Sequence, residues 1–120
     1  MQKTDFAVDK STANNGATVY TPHGVLNGHQ DCFDWLESIR NDIQAGNKRV
    51  VINLKDVARV DSTGVGIVAS IHVSAVNAGG KLCLTELGPR ERALFESTWL
   101  LRVIPNFERE AEAIAAAAQP

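Results

Sequence analysis

The chain has 120 residues, 44% of them hydrophobic and 22% charged, with a formal net charge of −2, which favours one globular domain over residues 1–120. This weak acidity argues against a nucleic-acid-binding surface, because such a surface requires clustered basic residues. No apolar run approaches the roughly 18 residues that a membrane-spanning helix needs, and the N-terminus lacks a signal-peptide core, so we expect a cytoplasmic protein.

The first third of the chain predicts a strand hairpin followed by an amphipathic helix. Residues 3–8 are expected to form a short edge strand, and residues 11–16 have the composition of a turn. Residues 17–21 alternate as a second strand does, and residues 23–29 then predict a loop. Apolar residues recur every three or four positions in residues 30–45, which predicts a helix. Its apolar stripe consists of Cys32, Leu36, Ile39 and Ile43.

The cysteines and histidines do not form a recognisable ligand set. Cys32 and Cys83 lie on predicted apolar faces without a Cys-x-x-Cys spacing, so we expect packed free thiols. His23 and His29 stand six residues apart with no carboxylate or cysteine at metal-ligand spacing, so we expect solvated loop side chains. His72 follows in the next predicted helix, as a packed or half-exposed residue. The sequence therefore predicts no metal site.

A strand-to-helix junction lies at the centre of the chain. The β-branched residues 50–54 predict a buried strand and residues 67–78 an apolar helix, and between them the sequence reads Val60-Asp-Ser-Thr-Gly-Val-Gly66. A helix start has unpaired N–H groups and partial positive charge, so Ser62 is a candidate cap and a candidate phosphorylation site. A phosphate there would add roughly −1.5 to −2 charge beside Asp61 and would repel a partner bound to the same surface.

The remaining elements alternate between strand and helix. Residues 81–86 predict a strand that is parallel to the strand before the junction, through a right-handed crossover. Residues 90–97 predict a helix, opened by Pro89, that turns Ala93, Leu94 and Phe95 inward. Residues 99–104 predict an apolar connection and a short strand. Residues 107–118 predict a terminal helix with the apolar stripe Phe107, Ala111, Ile114 and Ala118.

Two enzymatic interpretations begin at the same junction. The glycines of Gly64-Val-Gly-Ile-Val-Ala69 match a dinucleotide-binding fingerprint, with Glu86 at a suitable spacing, but residues 55–63 separate the first glycine from its strand. A nucleophile elbow would need glycine where Val60 stands. A helix start that closely approaches another backbone explains the small residues better. We therefore expect a binding protein without a cofactor, and nucleotide binding is kept as an alternative.

The ordered motifs resemble the STAS domain and, within it, the anti-sigma factor antagonists of bacteria. The resemblance runs from Ala17 to Ile104 and rests on the junction with its preceding strand and on three later runs. These runs are Asn77-Ala-Gly-Gly-Lys-Leu-Cys-Leu84, Gly88-Pro-Arg-Glu-Arg-Ala-Leu-Phe95 and Leu100-Leu-Arg-Val-Ile104. The resemblance implies an α/β fold with a STAS-like mixed β-sheet and helices packed mainly on one face. Residues 105–120 lie beyond it and contain the terminal helix that the apolar stripe predicts.

The same resemblance implies a phosphorylation-switched binding module. In that family the serine after the motif aspartate is phosphorylated, which corresponds to Ser62, with Thr63 as a second acceptor. The unphosphorylated protein would bind an anti-sigma factor that is also a serine kinase of the histidine-kinase-like ATPase fold, and a phosphatase would reset it. The residues implied in partner binding are Asn27, Asp61, Ser62, Thr63, Gly64 and Val65.

One departure from the family pattern leaves other functions open. Many switching members carry an acidic residue where this chain has Asn27. A STAS scaffold or transport-associated subunit would keep the fold and bind its partner whatever the state of Ser62. On physical grounds alone, Asp61 and Ser62 could also serve only to cap a core helix.

Overall fold

The computed structural model describes residues 6–120, which form a six-stranded mixed sheet and four helices. The strands are β1 (Ala7–Thr12), β2 (Thr18–Leu26), β3 (Arg49–Asn53), β4 (Val57–Val60), β5 (Lys81–Thr85) and β6 (Asn106–Phe107). The helices are α1 (Gln30–Gln44), α2 (Ser62–Asn77), α3 (Pro89–Ser97) and α4 (Glu110–Ala117). The predicted α/β fold with a mixed sheet is thus confirmed.

The sheet has the strand order β1-β2-β3-β5-β6, and β4 pairs with β2. Only the β1–β2 pair is antiparallel among the described strands. The start of β2 pairs with β3, and its end, Gly24 to Leu26, pairs with β4. The predicted parallel pairing of β3 with β5 is confirmed. Because β4 extends alongside the end of β2, α2 begins beside the point where β2 ends.

The two faces of the sheet carry unequal cores. Successive strand residues point to opposite faces, so Val50 and Ile52 join a large cluster with α1, α2 and α3, whereas Val51 joins a small cluster under α4. The large cluster contains residues such as Leu26, Ile39 and Phe95, all fully buried. The helices therefore pack mainly on one face, as predicted, and α4 alone covers the other among the described helices. Both cysteines are buried free thiols, also as predicted.

The bounds of β1 and β2 differ from those predicted, and β4 is an additional strand. β1 begins at Ala7, and residues 3–5 of the predicted edge strand lie outside the described residues. The predicted loop over residues 23–29 is wrong at its start, because β2 continues to Leu26. Gly24 adopts φ +94° there and its N–H donates to the carbonyl of Asp56 at 3.2 Å. β4 was not expected, since its central residues are exposed and give no apolar alternation.

The C-terminal elements also differ. Residues 100–102 form a 3-10 turn instead of a strand, and β6 follows Pro105. α4 begins only at Glu110, so its buried residues are Ala113 and Ala117, while Ala111 of the predicted stripe is exposed. In α3, Phe95 is buried and Leu94 partly buried, but Ala93 is exposed. Successive helix residues lie about 100° apart, so three in a row cannot all face the core.

A buried asparagine joins the ends of β3, β5 and α4. The Asn53 side chain is inaccessible to solvent, and its Nδ2 donates to Glu86 Oε2 at 2.7 Å and to Glu110 Oε1 at 2.9 Å. Its Oδ1 accepts the Lys55 N–H at 2.9 Å. Asn53 therefore holds the start of α4 against the sheet.

We expect Asn53→Ala to lower the free energy of unfolding by about 2–3 kcal/mol, because it leaves the Lys55 N–H and two carboxylate oxygens without the buried partner that joins them. The exposed Asn77, at the end of α2, offers a matched control, and Asn77→Ala should change stability by less than about 0.5 kcal/mol. Urea denaturation of both variants measures the difference. Equal stability of the two would show that the Asn53 hydrogen bonds do not support the fold.

Candidate functional site

Asp61 caps the first turn of α2. Its backbone is extended, with φ −105° and ψ −175°, and its Oδ1 accepts the Gly64 N–H at 2.9 Å. Its carbonyl accepts the Val65 N–H at 3.0 Å, the first hydrogen bond of the helix. The expectation that Ser62 caps the helix is therefore wrong, since Ser62 is the first helical residue. The aspartate precedes the helix and its short side chain reaches back, which leaves the serine hydroxyl without a capping role.

Ser62 and Thr63 both lie on the surface, in different surroundings. Ser62 is exposed, and its side chain makes no hydrogen bond within residues 6–120. Thr63 lies against the backbone of Gly28, where an added Cβ would be 3.6 Å from Thr63 Cγ2. Gly64 and Val65 are buried beneath them. Ser62 thus presents an exposed hydroxyl at the positive end of the α2 dipole.

Gly64 allows α2 to approach the end of β2 closely. A Cβ at this position would collide with the carbonyl oxygen of Leu26 and would lie 2.9 Å from Val60 Cγ1. Beside this contact the Asp61 N–H donates to the same Leu26 carbonyl at 3.2 Å. The explanation of the small residues by a close backbone approach is therefore confirmed for Gly64. Gly66 is different, because a Cβ there would meet no atom within 4 Å.

Asn27 forms the turn that connects β2 to α1. Its Oδ1 accepts the His29 N–H at 2.9 Å, and its own N–H points to the sulfur of Cys32 at 3.5 Å. Cys32 in turn donates to the carbonyl of Val25 at 3.5 Å. Burial raises the pKa of the Cys32 thiol, and the charges of two nearby aspartates add to this shift while the hydrogen bond from Asn27 opposes it. The neutral thiol therefore holds the turn in place.

The contacts of Gly28 with Thr63 and of Leu26 with Asp61 bring the turn at Asn27 next to the start of α2. These residues come from segments more than 30 positions apart in the chain. Asn27 itself is half-buried, and its amide oxygen is already engaged in the turn.

The outer side of α2 is apolar and uncharged. Ser62–Asn77 contains no Asp, Glu, Lys or Arg, and Val73 and Val76 are 54% and 52% exposed. Phe33, near the start of α1, is 41% exposed. The sequence pattern did not single out Phe33, although its position outside the α1 stripe indicated an exposed ring. Contiguous exposed apolar residues are typical of interaction surfaces.

The histidines lie apart from this surface or at its margin. His23 is not a solvated loop residue as expected, because it belongs to β2 and its Nε2 lies 2.7 Å from Asp9 Oδ2. Its Nδ1 is 3.5 Å from Asp56 Oδ2. His29 is exposed before α1, and His72 is half-buried in α2. Within residues 6–120, no group of three or more His, Cys, Asp or Glu side chains is placed to hold a metal ion.

Comparison with known families agrees with this geometry. The STAS domain model matches residues 10–113. The chain belongs to the STAS domain family. The match contains the whole junction between β4 and α2, so the helix that Asp61 caps and that Ser62 begins lies within the STAS domain of this chain. Across the described part of the chain, no helix has the length and apolarity that crossing a membrane requires.

Individual STAS proteins resemble the chain at low identity. The anti-sigma F factor antagonist of Paenibacillus polymyxa is 22% identical over 67 residues, which cover 56% of this chain and 57% of that relative. The crystal structure of an anti-sigma factor antagonist from Mycobacterium paratuberculosis has a TM-score of 0.81 at 17% identity, with 96% of both chains covered. The Bacillus cell fate determinant SpoIIAA in its phosphorylated form has a TM-score of 0.66 at 23% identity, covering 92% of this chain and 98% of that one. At these identities the structures show a shared fold.

The two glycines of the first turns of α2 provide a matched pair of variants. Gly64→Ala should lower the free energy of unfolding by about 1–3 kcal/mol, because the methyl group meets the Leu26 backbone, which cannot move without displacing β2. Gly66→Ala should raise it by roughly 0.5–1 kcal/mol, since the site is open and alanine favours helix. Urea denaturation gives both values. Effects of the same sign would contradict the close approach at Gly64.

Proposed function

We propose that this STAS protein is an anti-sigma factor antagonist that binds an anti-sigma factor while Ser62 is unphosphorylated. Phosphorylation of Ser62 would end that interaction. The observation that carries the proposal is the accessible Ser62 hydroxyl at the start of α2, in a helix that Asp61 caps independently. The similarity to an anti-sigma F factor antagonist points to the same function. Such a pathway would operate in the cytoplasm.

The binding surface in this proposal follows one side of α2. Its residues recur at helical spacing and lie in one row, namely Ser62, Gly66, Ala69, Val73 and Val76. Asn27, Thr63 and the exposed ring of Phe33 would border the row, while the buried Gly64 and Val65 shape it from below. An uncharged apolar row can be covered by a partner without the cost of burying ions. Covering the two valines removes apolar surface from water and favours the complex.

A phosphate on Ser62 would act on the interface and leave the fold intact. The helix N-terminus stabilises an added negative charge, so α2 has no reason to unfold. In the complex, however, the phosphate would lie against the partner beside the carboxylate of Asp61, where desolvation and repulsion oppose binding. The Asn27 side chain accepts the turn hydrogen bond that an acidic side chain could also accept. Because asparagine is uncharged, a phosphate on Ser62 would have one negative charge fewer near it than in a chain with an acidic residue at this position.

The enzymatic steps of the cycle would come from the partners. The anti-sigma factor, as a serine kinase of the histidine-kinase-like ATPase fold, would transfer a phosphoryl group from ATP to the Ser62 oxygen. A phosphatase would hydrolyse the phosphoserine and restore binding. In this scheme the STAS protein acts as a binding module and contributes only the acceptor hydroxyl.

Ser62 variants test the switch when they are used as affinity baits in the cells of origin. Ser62→Ala should retain an anti-sigma factor identified by mass spectrometry, and Ser62→Asp should bind it at least roughly tenfold more weakly because of the added charge. Asn47→Asp is the matched control, since it adds the same charge at an exposed turn between α1 and β3 and should bind normally. Peptide mapping of residues 60–69 from stressed and unstressed cells should show variable phosphorylation of Ser62.

Two further results separate the switch from its alternatives. Ser62→Asp should unfold at the same or a slightly higher temperature than the parent protein, because a negative charge at a helix N-terminus stabilises it by about 0.3–1 kcal/mol. Equal binding by Ser62→Ala and Ser62→Asp, with residues 60–69 unmodified in every condition, would instead identify a STAS scaffold that does not switch.

A further inference from the structure

Trp99 occupies a backbone position that favours glycine. It follows α3 with φ +65°, in the left-handed region, and its N–H donates to the Glu96 carbonyl at 3.1 Å. Its own carbonyl accepts the Arg102 N–H at 3.1 Å within the 3-10 turn. A bulky side chain is rare in this conformation because its Cβ crowds the backbone, and glycine is the usual left-handed residue after a helix. The turn therefore contains a tryptophan where glycine would be less strained.

The ring of Trp99 contributes little to the core. It is 61% exposed and belongs to neither buried cluster, whereas Leu100 and Leu101 of the same turn pack against the large one. Both the backbone conformation of Trp99 and the exposure of its ring are therefore unfavourable for the isolated protein. Strained residues of this kind concentrate at functional sites, which makes the surroundings of the ring a candidate binding site.

The ring borders a recess of about 430 Å³ that is lined by Glu96, Trp99, Leu101 and Arg102. The Arg102 guanidinium carbon lies 4.0 Å from the centre of the Trp99 ring, and this stacking holds the cation at the recess. Neither the Glu96 carboxylate nor the Arg102 guanidinium forms an ion pair or a side-chain hydrogen bond within residues 6–120. The recess thus combines apolar surface with one available cation and one available anion, at a volume that suits a small ligand.

We propose that this recess binds a free α-amino acid with an apolar or aromatic side chain. Such a ligand has a carboxylate and an ammonium on the same carbon atom and an apolar group beside them. The carboxylate accepts hydrogen bonds from the planar guanidinium of Arg102, and the ammonium donates to the Glu96 carboxylate. The side chain packs against Trp99 and Leu101. A ligand with a single charge leaves Glu96 or Arg102 unpaired in the complex, whereas a zwitterion pairs with both.

The two tryptophans provide an internal control for a binding experiment that needs no anti-sigma factor. Each indole N–H gives its own signal in a heteronuclear NMR spectrum of the full chain, and Trp99→Gly identifies the signal of Trp99. L-Phenylalanine should shift that signal saturably, while the signal of Trp35, which is 7% exposed, stays in place. An unshifted Trp99 signal in a near-saturated phenylalanine solution would overturn the proposal.

Two derivatives of the probe test its charges separately. N-acetyl-phenylalanine lacks the ammonium and phenylalanine amide lacks the carboxylate. Each should bind at least about tenfold more weakly than phenylalanine, because each loses one charge-assisted contact. Equal binding of all three compounds would show only an apolar contact with the ring and would contradict the proposed zwitterion site.

Charge variants of the protein assign each contact to its residue. In Glu96→Gln, phenylalanine and its N-acetyl derivative should bind with similar affinity, because the partner of the ammonium is gone. In Arg102→Met, phenylalanine and its amide should bind with similar affinity for the corresponding reason. Arg90→Met is the control, since Arg90 is exposed at the start of α3 outside the recess and should leave the preference for the free amino acid unchanged. A preference that persists in Glu96→Gln and Arg102→Met would refute the assigned contacts.

Trp99→Gly tests whether the tryptophan serves binding or the fold. Calorimetry should detect no phenylalanine binding by this variant, because the apolar surface of the recess is lost. The variant should unfold at the same or a higher urea concentration than the parent protein, since glycine adopts φ +65° without strain. Unchanged phenylalanine binding would overturn the role of the ring.

Discussion

The contact between the first turn of α2 and the end of β2 determines the geometry of the whole junction. The absence of a side chain at Gly64 lets the helix reach the Leu26 carbonyl, and the Asp61 N–H bonds to that same carbonyl. The direction of α2 is therefore set by β2, although 35 or more residues separate them in the chain. The Asn27 turn is fixed as a consequence, because Gly28 then lies against Thr63.

The division of roles between Asp61 and Ser62 explains how a modified helix start can remain folded. If Ser62 were the cap, phosphorylation would change the group on which the first turn depends, because the capping hydrogen bond would have to move from the hydroxyl oxygen to a phosphate oxygen. Asp61 supplies the capping acceptor instead, and Ser62 follows as the first helical residue. Charge added at Ser62 interacts favourably with the helix dipole and unfavourably with whatever covers the surface. Stability and binding thus respond in opposite directions to one group.

The sequence predicted those elements whose burial follows a regular period. α1 and β3 carry continuous apolar patterns, and both lie within two residues of their expected bounds. The apolar pattern failed to predict strands whose formation depends on hydrogen-bonded pairing with a neighbouring strand and not on local residue preference. β4 was missed because only Val57 and Val60 are buried, and β2 continues through Pro22 and Gly24, residues that otherwise end strands. The identity of the cap, and the bonds of Asn53 to residues 33 and 57 positions away, depend on tertiary geometry that no local pattern reports.

The exposed valines of α2 require an explanation beyond the fold. Val73 and Val76 point away from both cores, so they contribute little to folding, and polar residues with better helix propensity would serve the isolated protein equally well. The apolar row that they form with Ser62 also lacks the charges that normally keep a helix surface hydrated. The opposite face of the sheet, by contrast, covers its apolar residues with α4 even though the contact is small. A chain that shields its weaker apolar face with a helix of its own and leaves the α2 row open has the arrangement expected if a partner covers that row.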